Sequence, residues 1–183
     1  MHGRREKQEA RPRYAAFRAV LPLLIPLLLS QACSPAYVPT EYPLREGVIP
    51  SIDVAGEVAF LNAQPSTEPT AVYSYIGSSL QSDYHAITEV MVNQAAHEIR
   101  KNGRVRPGSH KTIALKVLSL QSHYIAFFWK SSIEFTADLG NGKSIRKDVK
   151  HASGNVVQDL NGCIAEGVIF LLNDETVRAY LAE

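Results

Sequence analysis

The residues from Ile125 to Leu139 alternate in character more regularly than any other part of the chain. The odd positions read Ile, Phe, Trp, Ser, Ile, Phe, Ala and Leu, and the even positions from Lys130 onward read Lys, Ser, Glu, Thr and Asp. Such alternation is typical of a β-strand with one buried face and one face in water. A sheet with one wet face is covered by helices on the other face only, so this stretch predicts a two-layer fold.

Two amphipathic helices supply the second layer of the predicted fold. The first extends from about Asp83 to Asn102, and the second begins near Asn155. Each carries an apolar stripe at three- and four-residue steps: Tyr84, Ile87, Met91, Ala95 and Ile99 on the first, and Val156, Leu160, Cys163, Ile164, Val168 and Leu171 on the second. Asn173 or Asp174 is placed to cap a last short helix that ends near Leu181.

Further strands are predicted by short runs of β-branched and aromatic residues. They cover residues 54–61, 71–76, 112–120 and 143–150, and the last follows a Gly-Asn-Gly turn, which favours a hairpin. The resulting order is strand, strand, helix, three strands and helix. We therefore predict an α+β fold, a two-layer sandwich of a mostly antiparallel sheet packed by two amphipathic helices, over residues 52–183.

The first 32 residues have the layout of a secretory signal. Residues 1–18 are polar and basic, and residues 19–29 are an uncharged, largely apolar run interrupted by Pro22 and Pro26. A bilayer-spanning helix needs about 20 apolar residues, so this run is too short to be one. A basic start, a short apolar middle and small residues beyond it are the pattern of a signal peptide.

The signal is followed by Ser30-Gln31-Ala32-Cys33, which resembles a bacterial lipobox. The resemblance implies cleavage between Ala32 and Cys33 and attachment of a lipid to Cys33. Ser30 and Gln31 stand where the pattern usually has Leu and a small residue. Three alternatives remain at this stage: an ordinary signal peptide cut elsewhere, an uncleaved anchor, or a chance cysteine in a cytosolic protein.

Residues 33–51 are predicted to be the lipidated N-terminus and a tether rich in proline. Pro35, Pro39, Pro43 and Pro50 lie among polar residues, which favours an extended polyproline-like chain. The residue after the cysteine is Ser34. In lipoproteins of the enterobacterial kind, Asp there resembles an inner-membrane retention signal, so Ser34 favours the outer membrane, with the domain facing the periplasm.

The charge balance gives no reason to expect a nucleic acid partner. The chain has 19 Lys and Arg residues against 18 Asp and Glu, but six of these basic residues and only two of the acidic ones lie in residues 1–32. The rest of the chain therefore has a net charge of −3. A mildly acidic body does not attract polyanions in general.

Two clusters are candidates for a binding surface. Arg100, Lys101, Arg104 and Arg106 form a basic cluster that either complements the dipole of the preceding helix or binds an anionic partner, such as a lipid headgroup or a polysaccharide phosphate. Tyr124, Phe127, Phe128 and Trp129 form an aromatic cluster. Phe127 and Trp129 are expected in the core, whereas Phe128 points the other way, either under a helix or into an exposed contact surface.

No motif for a cofactor, a metal ion or catalysis is recognisable. The six histidines have no familiar ligand spacing, and Gly77-Ser78-Ser79 lacks the second glycine of a nucleophile elbow. Cys163 lies within an apolar helical stripe, so we expect a buried, free thiol. Carboxylates distant in sequence could still meet in space.

The layout resembles that of small bacterial envelope lipoproteins of the YajG type and the auxiliary lipoproteins of ABC-type envelope transporters. The resemblance covers the signal, the lipobox, the proline-rich segment and the order of elements, and it transfers no functional residue except Cys33. It implies a membrane-anchored, non-enzymatic adaptor or accessory subunit with envelope proteins as partners. A lipid- or glycan-binding module is the alternative, and a hydrolase with dispersed catalytic residues is a third.

Overall fold

A computed structural model describes residues 35–183, which form eight strands and three helices. The strands, in chain order, are β1 (Ile52–Ala55), β2 (Val58–Asn62), β3 (Thr70–Tyr75), β4 (Ser78–Ser82), β5 (Gly103–Arg106), β6 (Lys111–Ile125), β7 (Phe128–Leu139) and β8 (Ser144–Ser153). The helices are α1 (Tyr84–Asn102), α2 (Val156–Asn173) and α3 (Glu175–Ala182).

The main sheet has six strands in a mixed arrangement. Its order is β4-β3-β6-β7-β8, and β2 lies beside the first half of β6. β4, β7 and β8 pair antiparallel with their neighbours, whereas β2 and β3 run parallel to β6. β1 and β5 form a separate parallel pair. Because α1 and α2 pack against each other and against this sheet, the predicted α+β sandwich is confirmed.

The core lies between the sheet and the two long helices. On β7 the odd positions from Ser131 to Leu139 are buried, as the alternation predicts, and the predicted stripe of α1 is buried from Ile87 to Ile99. α2 is long and apolar enough to cross a membrane by length and composition, but 61% of it is buried inside the domain. That burial is typical of a core helix.

The structure divides two of the predicted strands. The region 54–61 is interrupted at Gly56, whose φ of +92° and close approach to the Ser109 carbonyl leave no room for a Cβ atom. The region 125–139 is not one strand, because the chain reverses at Ala126-Phe127 between β6 and β7. Residues 78–82, for which no strand is predicted, form β4 as the partner of β3.

Each helix begins at a residue that caps its N-terminus. The side chains of Asp83, Asn155 and Asp174 accept hydrogen bonds from the first backbone N–H groups of α1, α2 and α3. Asp174 also pairs with Lys147 of β8 at 2.6 Å. Burial by itself raises the pKa of Asp174, but the hydrogen bond and charge of Lys147, with the N–H groups of Val177 and Thr176, outweigh burial and lower that pKa.

Replacing this cap, Asp174→Ala, is expected to lower the free energy of unfolding by about 1 kcal/mol, because two N–H groups of α3 lose their acceptor. A lowered pKa stabilises the fold above the pKa of the unfolded carboxyl, about 3.9, and this contribution is lost as the pH falls through the folded value. Urea denaturation at neutral pH and at acidic pH measures both effects. If Asp174→Ala lost as much stability at a pH below the folded pKa as at neutral pH, the charged carboxylate of Asp174 would not be what stabilises the cap.

Candidate functional site

The segment that follows the predicted lipidation site is fixed to the domain. Tyr37 is only 4% exposed, its N–H donates to the Gln81 carbonyl of β4 at 2.7 Å, and its hydroxyl donates to Oδ1 of Asn161 at 2.5 Å. Asn161 lies on α2, where it also binds the backbone N–H and the hydroxyl of Thr40. Asn161 thus holds the segment through three hydrogen bonds.

The rest of this segment is also packed. Ile49 is buried, and the side-chain amide of Gln94 on α1 donates to the Tyr42 carbonyl at 2.6 Å. Residues 35–50 are therefore not the extended spacer that their prolines had suggested, and the domain reaches further toward the N-terminus than residue 52. The packed conformation of residues 35–50 is favoured over an extended one because it buries the apolar side chains of Tyr37 and Ile49. Ala32, Cys33 and the signal region lie outside the described residues.

Burial changes the chemistry of Tyr37. The removal of its phenol from water raises the pKa of Tyr37 above the ordinary value, and the nearby Cys163 sulfur adds to that shift. A neutral hydroxyl is what the contact with Asn161 requires, since the phenol is the donor. The hydrogen bond between Tyr37 and Asn161 is consequently insensitive to pH in the physiological range.

The four residues of the predicted basic cluster lie in different surroundings. Arg104 pairs with Asp53 at 2.9 Å, and the guanidinium of Arg106 donates to the Ala182 carbonyl. Arg100 and Lys101, at the end of α1, have no acidic partner among residues 35–183. Arg100 borders a cleft of about 350 Å³ between α1 and the β1–β2 region, but Glu57 borders the same cleft, so its charges offset each other.

The aromatic cluster lies at the opposite end of the sheet from the basic cluster. β6 begins at Lys111, beside the basic cluster, and ends at Ile125, beside the aromatic residues. Its 15 residues span about 45 Å at roughly 3.3 Å per residue. The two candidate surfaces therefore cannot bind a single small ligand together, and the lipid- or glycan-binding alternative loses that basis.

Two hairpin turns at this end carry exposed apolar side chains. Ile76 in the β3–β4 turn is 82% exposed and Phe127 in the β6–β7 turn is 90% exposed. Phe128 is 40% exposed, as the alternative of an exposed position predicted. The expectation that Phe127 lies in the core is wrong, because the reversal at Ala126-Phe127 turns its side chain outward. We call Tyr75, Ile76, Ile125, Phe127 and Phe128 the apolar tip.

The backbone of both turns is unusual for the residues they contain. Ile76 has a φ of +41°, and Ala126 and Phe127 have φ values of +37° and +86°. Two consecutive positive φ values define the hairpin turn that normally takes Asn-Gly, because L side chains rarely adopt this conformation. Large apolar residues are thus held in water at positions where Asn or Gly would be less strained.

Aromatic rings join the two hairpins of the tip. The ring centroids of Tyr75 and Tyr124 are 5.2 Å apart, and those of Tyr124 and Trp129 are 5.1 Å apart, in tilted geometries that favour aromatic pairs. β3 runs parallel to β6 at Tyr73 and Ser122, so both turns face the same way. The segments 70–82 and 117–133 contain no acidic residue.

A buried polar network links α2 to the sheet below the tip. The carboxylate of Asp159 is fully buried and accepts hydrogen bonds from the hydroxyl of Ser122 at 2.8 Å and from Nδ1 of His151 at 3.2 Å. The Asp159 carbonyl accepts from the hydroxyl of Ser131. A Ser-His-Asp triad needs the imidazole between the other two groups, whereas here the carboxylate lies in the middle. The network links α2 to β6, β7 and β8, and its order differs from that of a catalytic triad.

Within residues 35–183, the cysteine thiol is buried and no group of metal ligands is found. Cys163 is free and fully buried, as expected, and burial raises the pKa of its thiol to about 12, which disfavours the thiolate that a nucleophile requires. Within residues 35–183, no three His, Cys, Asp or Glu side chains are grouped to hold a metal ion.

The comparisons with known proteins give a likeness in structure and none in sequence. No protein-family model matches the sequence, and no curated protein matches it. The structure is similar to the crystal structure of protein XCC0632 from Xanthomonas campestris, described with the family model DUF330, with a TM-score of 0.46 and 19% sequence identity. The match covers 75% of this chain and 94% of that chain.

Sequence reasoning missed three important residues: Ile76, Asp159 and Asn161. Ile76 was assigned to the end of a strand, and the other two lie within the helical pattern of α2, where polar residues are usually solvated. Only one signal was available. Asp159 and Asn161 flank Leu160, a position of the apolar stripe, and polar residues beside a buried stripe face the edge of the core.

Proposed function

We propose that this chain is a bacterial lipoprotein, anchored in an envelope membrane by lipid on Cys33, that acts as a non-enzymatic adaptor or accessory subunit. One observation carries the proposal: from Pro35 onward the chain is fixed to the domain through Tyr37, Thr40 and Asn161. Only Ser34 separates Cys33 from Pro35, and two Cα–Cα steps span at most about 7 Å. A lipid at Cys33 would hold the domain at the membrane surface instead of on a long tether.

The surface of the domain supports an adaptor role. The sheet face away from the helices is polar, with Glu134 and Arg146 paired at 2.6 Å on neighbouring strands. β8 is the last strand of the sheet and carries charged residues along its length, a pattern that discourages chance pairing with other strands. A partner would therefore meet side chains on the open face, as in polar, reversible interfaces.

The layout resembles YajG-type lipoproteins and the auxiliary lipoproteins of ABC-type transporters, and on this likeness the partners are envelope proteins. Ser34 after the cysteine supports the outer membrane, with the domain in the periplasm. No cofactor and no nucleic acid is part of the proposal.

The anchor is tested with the full chain and its Cys33→Ala variant, both expressed in a Gram-negative bacterium. Acyl chains contribute about 0.8 kcal/mol per buried methylene, so the variant is expected to lose nearly all of its membrane-bound fraction. Intact-mass analysis should show the lipid on the wild-type chain, and globomycin should leave its signal uncleaved. A mature wild-type protein with the mass of bare polypeptide, or one that begins elsewhere, would refute the anchor.

The adaptor role is tested in the same cells with a photoactivatable cross-linking residue at Thr136, on the open face. Phe170, 50% exposed on α2, is the matched control position. We expect a reproducible envelope protein cross-linked from Thr136 and not from Phe170, and its loss in the Cys33→Ala background. If no envelope protein is captured from Thr136, the open-face adaptor role is wrong.

A further inference from the structure

We propose that the apolar tip inserts into the membrane interface beside the lipid anchor, so that the domain contacts the bilayer through two hairpin turns as well as through Cys33. This inference rests on the proposed function, because the lipid on Cys33 determines which membrane the apolar tip contacts. Exposed apolar residues that stand singly on a protein surface need no explanation, but a contiguous group of them usually marks an interaction site. Here Tyr75, Ile76, Ile125, Phe127 and Phe128 are all at least 40% exposed at one end of the sheet.

The start of the described chain lies close to this end of the sheet. Ala36 pairs with Gln81 in parallel with β4, and β4 begins at Ser78 beside the Ile76-Gly77 turn. At Pro35 the chain is therefore separated from this turn by about four strand residues, roughly 13 Å. Cys33 is two residues from Pro35, so acyl chains on it would enter the bilayer near the apolar tip.

The chemistry of the tip matches a lipid surface better than a protein groove. Its two segments, residues 70–82 and 117–133, contain no Asp or Glu, and their charged or titratable side chains other than tyrosines are His123 and Lys130. Such a surface meets anionic headgroups without repulsion. The tilted rings of Tyr75, Tyr124 and Trp129 contact one another beside the exposed Ile and Phe residues, and tyrosine and tryptophan are enriched at membrane interfaces.

The strained turns point to the same role. A turn with two positive φ values forms more readily with Asn-Gly, yet the chain holds Ile76, Ala126 and Phe127 in that conformation. Backbone strain at exposed positions is a reason to look for a function of the side chains held there. Rigid turns would present Ile76 and Phe127 to the interface with little loss of conformational entropy on insertion.

Trp129, the single tryptophan, reports on the position of the tip. The lipidated protein is reconstituted into vesicles of phosphatidylethanolamine with some phosphatidylglycerol, with or without bromine on the acyl chains. We expect brominated lipid to quench Trp129 fluorescence in the wild-type protein and not in the I76D/F127D variant. Val105→Asp, at a position 71% exposed near the far end of the sheet, is the matched control and should leave the quenching unchanged.

A second variant separates membrane contact from folding. Replacing the strained turn by Asn-Gly (A126N/F127G) should raise stability toward urea, because it suits the positive φ values, and should reduce quenching because Phe127 is removed. A turn residue with a purely structural role would not change the two readouts in opposite directions. Unquenched Trp129 in the wild-type protein, or equal quenching in I76D/F127D, would overturn the proposal.

The unlipidated chain from Ser34 onward distinguishes failure of the tip from failure of the anchor. Its partition coefficient into the same vesicles, measured by sedimentation, should fall on the order of tenfold in I76D/F127D, since two exposed apolar side chains are lost. If Cys33 carries no lipid but this difference is found, the anchor is wrong and the membrane-contacting tip stands. If the wild-type chain instead self-associates through the tip and I76D/F127D is monomeric, the occupant is a second copy and the proposal falls.

Discussion

Replacing Tyr37 with alanine is expected to lower the free energy of unfolding by about 3–5 kcal/mol, the usual cost of removing a buried aromatic side chain. Tyr37 is 4% exposed and belongs to the main hydrophobic core, although it precedes the first strand by 15 residues. The substitution leaves a cavity between the N-terminal segment and α2, and it removes the donor that binds Oδ1 of Asn161. Urea denaturation of the unlipidated chain beginning at Ser34 measures the effect.

Two further variants define what the result means. Val38→Ala, at a neighbouring position that is 72% exposed, should change stability by less than about 0.5 kcal/mol. Tyr37→Phe keeps the ring and loses the hydroxyl, and it should cost about 1 kcal/mol. If Tyr37→Ala were as mild as Val38→Ala, residues 35–50 would behave as a free tether, and the short distance between anchor and domain would have no basis.

The second large effect is expected for Asp159→Ala, with a loss of about 3 kcal/mol in the free energy of unfolding. The substitution leaves the hydroxyl of Ser122, which is 1% exposed, without its acceptor, and an unsatisfied buried polar group costs about 1–3 kcal/mol. It also removes a carboxylate from the first turn of α2, where negative charge complements the helix dipole. His151 loses its partner as well.

Asp159→Asn and Gln158→Ala complete this test. The asparagine keeps the shape and one acceptor, so its gain over alanine measures hydrogen bonding and its remaining loss relative to the wild-type chain measures charge. Gln158 is exposed beside Asp159 and has no side-chain partner among residues 35–183, so Gln158→Ala should change stability by less than about 0.5 kcal/mol. Denaturation midpoints of all three variants, at equal m-values, give the comparison. Equal stability of Asp159→Ala and the wild-type chain would contradict a structural role for the network.

The sequence predicted those parts of the fold in which local chemistry and burial agree. Both ends of α1 and the start of α2 were predicted within one residue, because an apolar stripe at helical spacing coincides with capping residues Asp83 and Asn155. The β7–β8 hairpin was predicted because Gly140-Asn141-Gly142 marks its turn. The β6–β7 turn was missed because Ala126-Phe127 contains no residue that favours a positive φ, and alternation alone continued through it.

The candidate site was harder to predict from the sequence than the fold. For Phe128 the sequence left two alternatives open, under a helix or exposed, and the structure shows the side chain 40% exposed. Phe127 was placed in the core, because a side chain two positions from Trp129 shares its face only if the strand is continuous. Asn161 and Asp159 acquire their importance from partners more than 30 residues distant, Tyr37 for the first and Ser122 for the second. No local pattern identifies such pairs.

By itself, the sequence determined the two-layer α+β architecture, the long helices and the resemblance of Ser30–Cys33 to a lipobox. These features depend on periodicity or on neighbouring residues, which a linear chain displays directly. Only the tertiary structure decided that residues 35–50 pack on the domain, that Asp159 is buried between a serine and a histidine, and that two hairpin turns meet as an apolar tip. Each of these depends on the free energy of contacts between distant segments, and that energy exists only once the chain has folded.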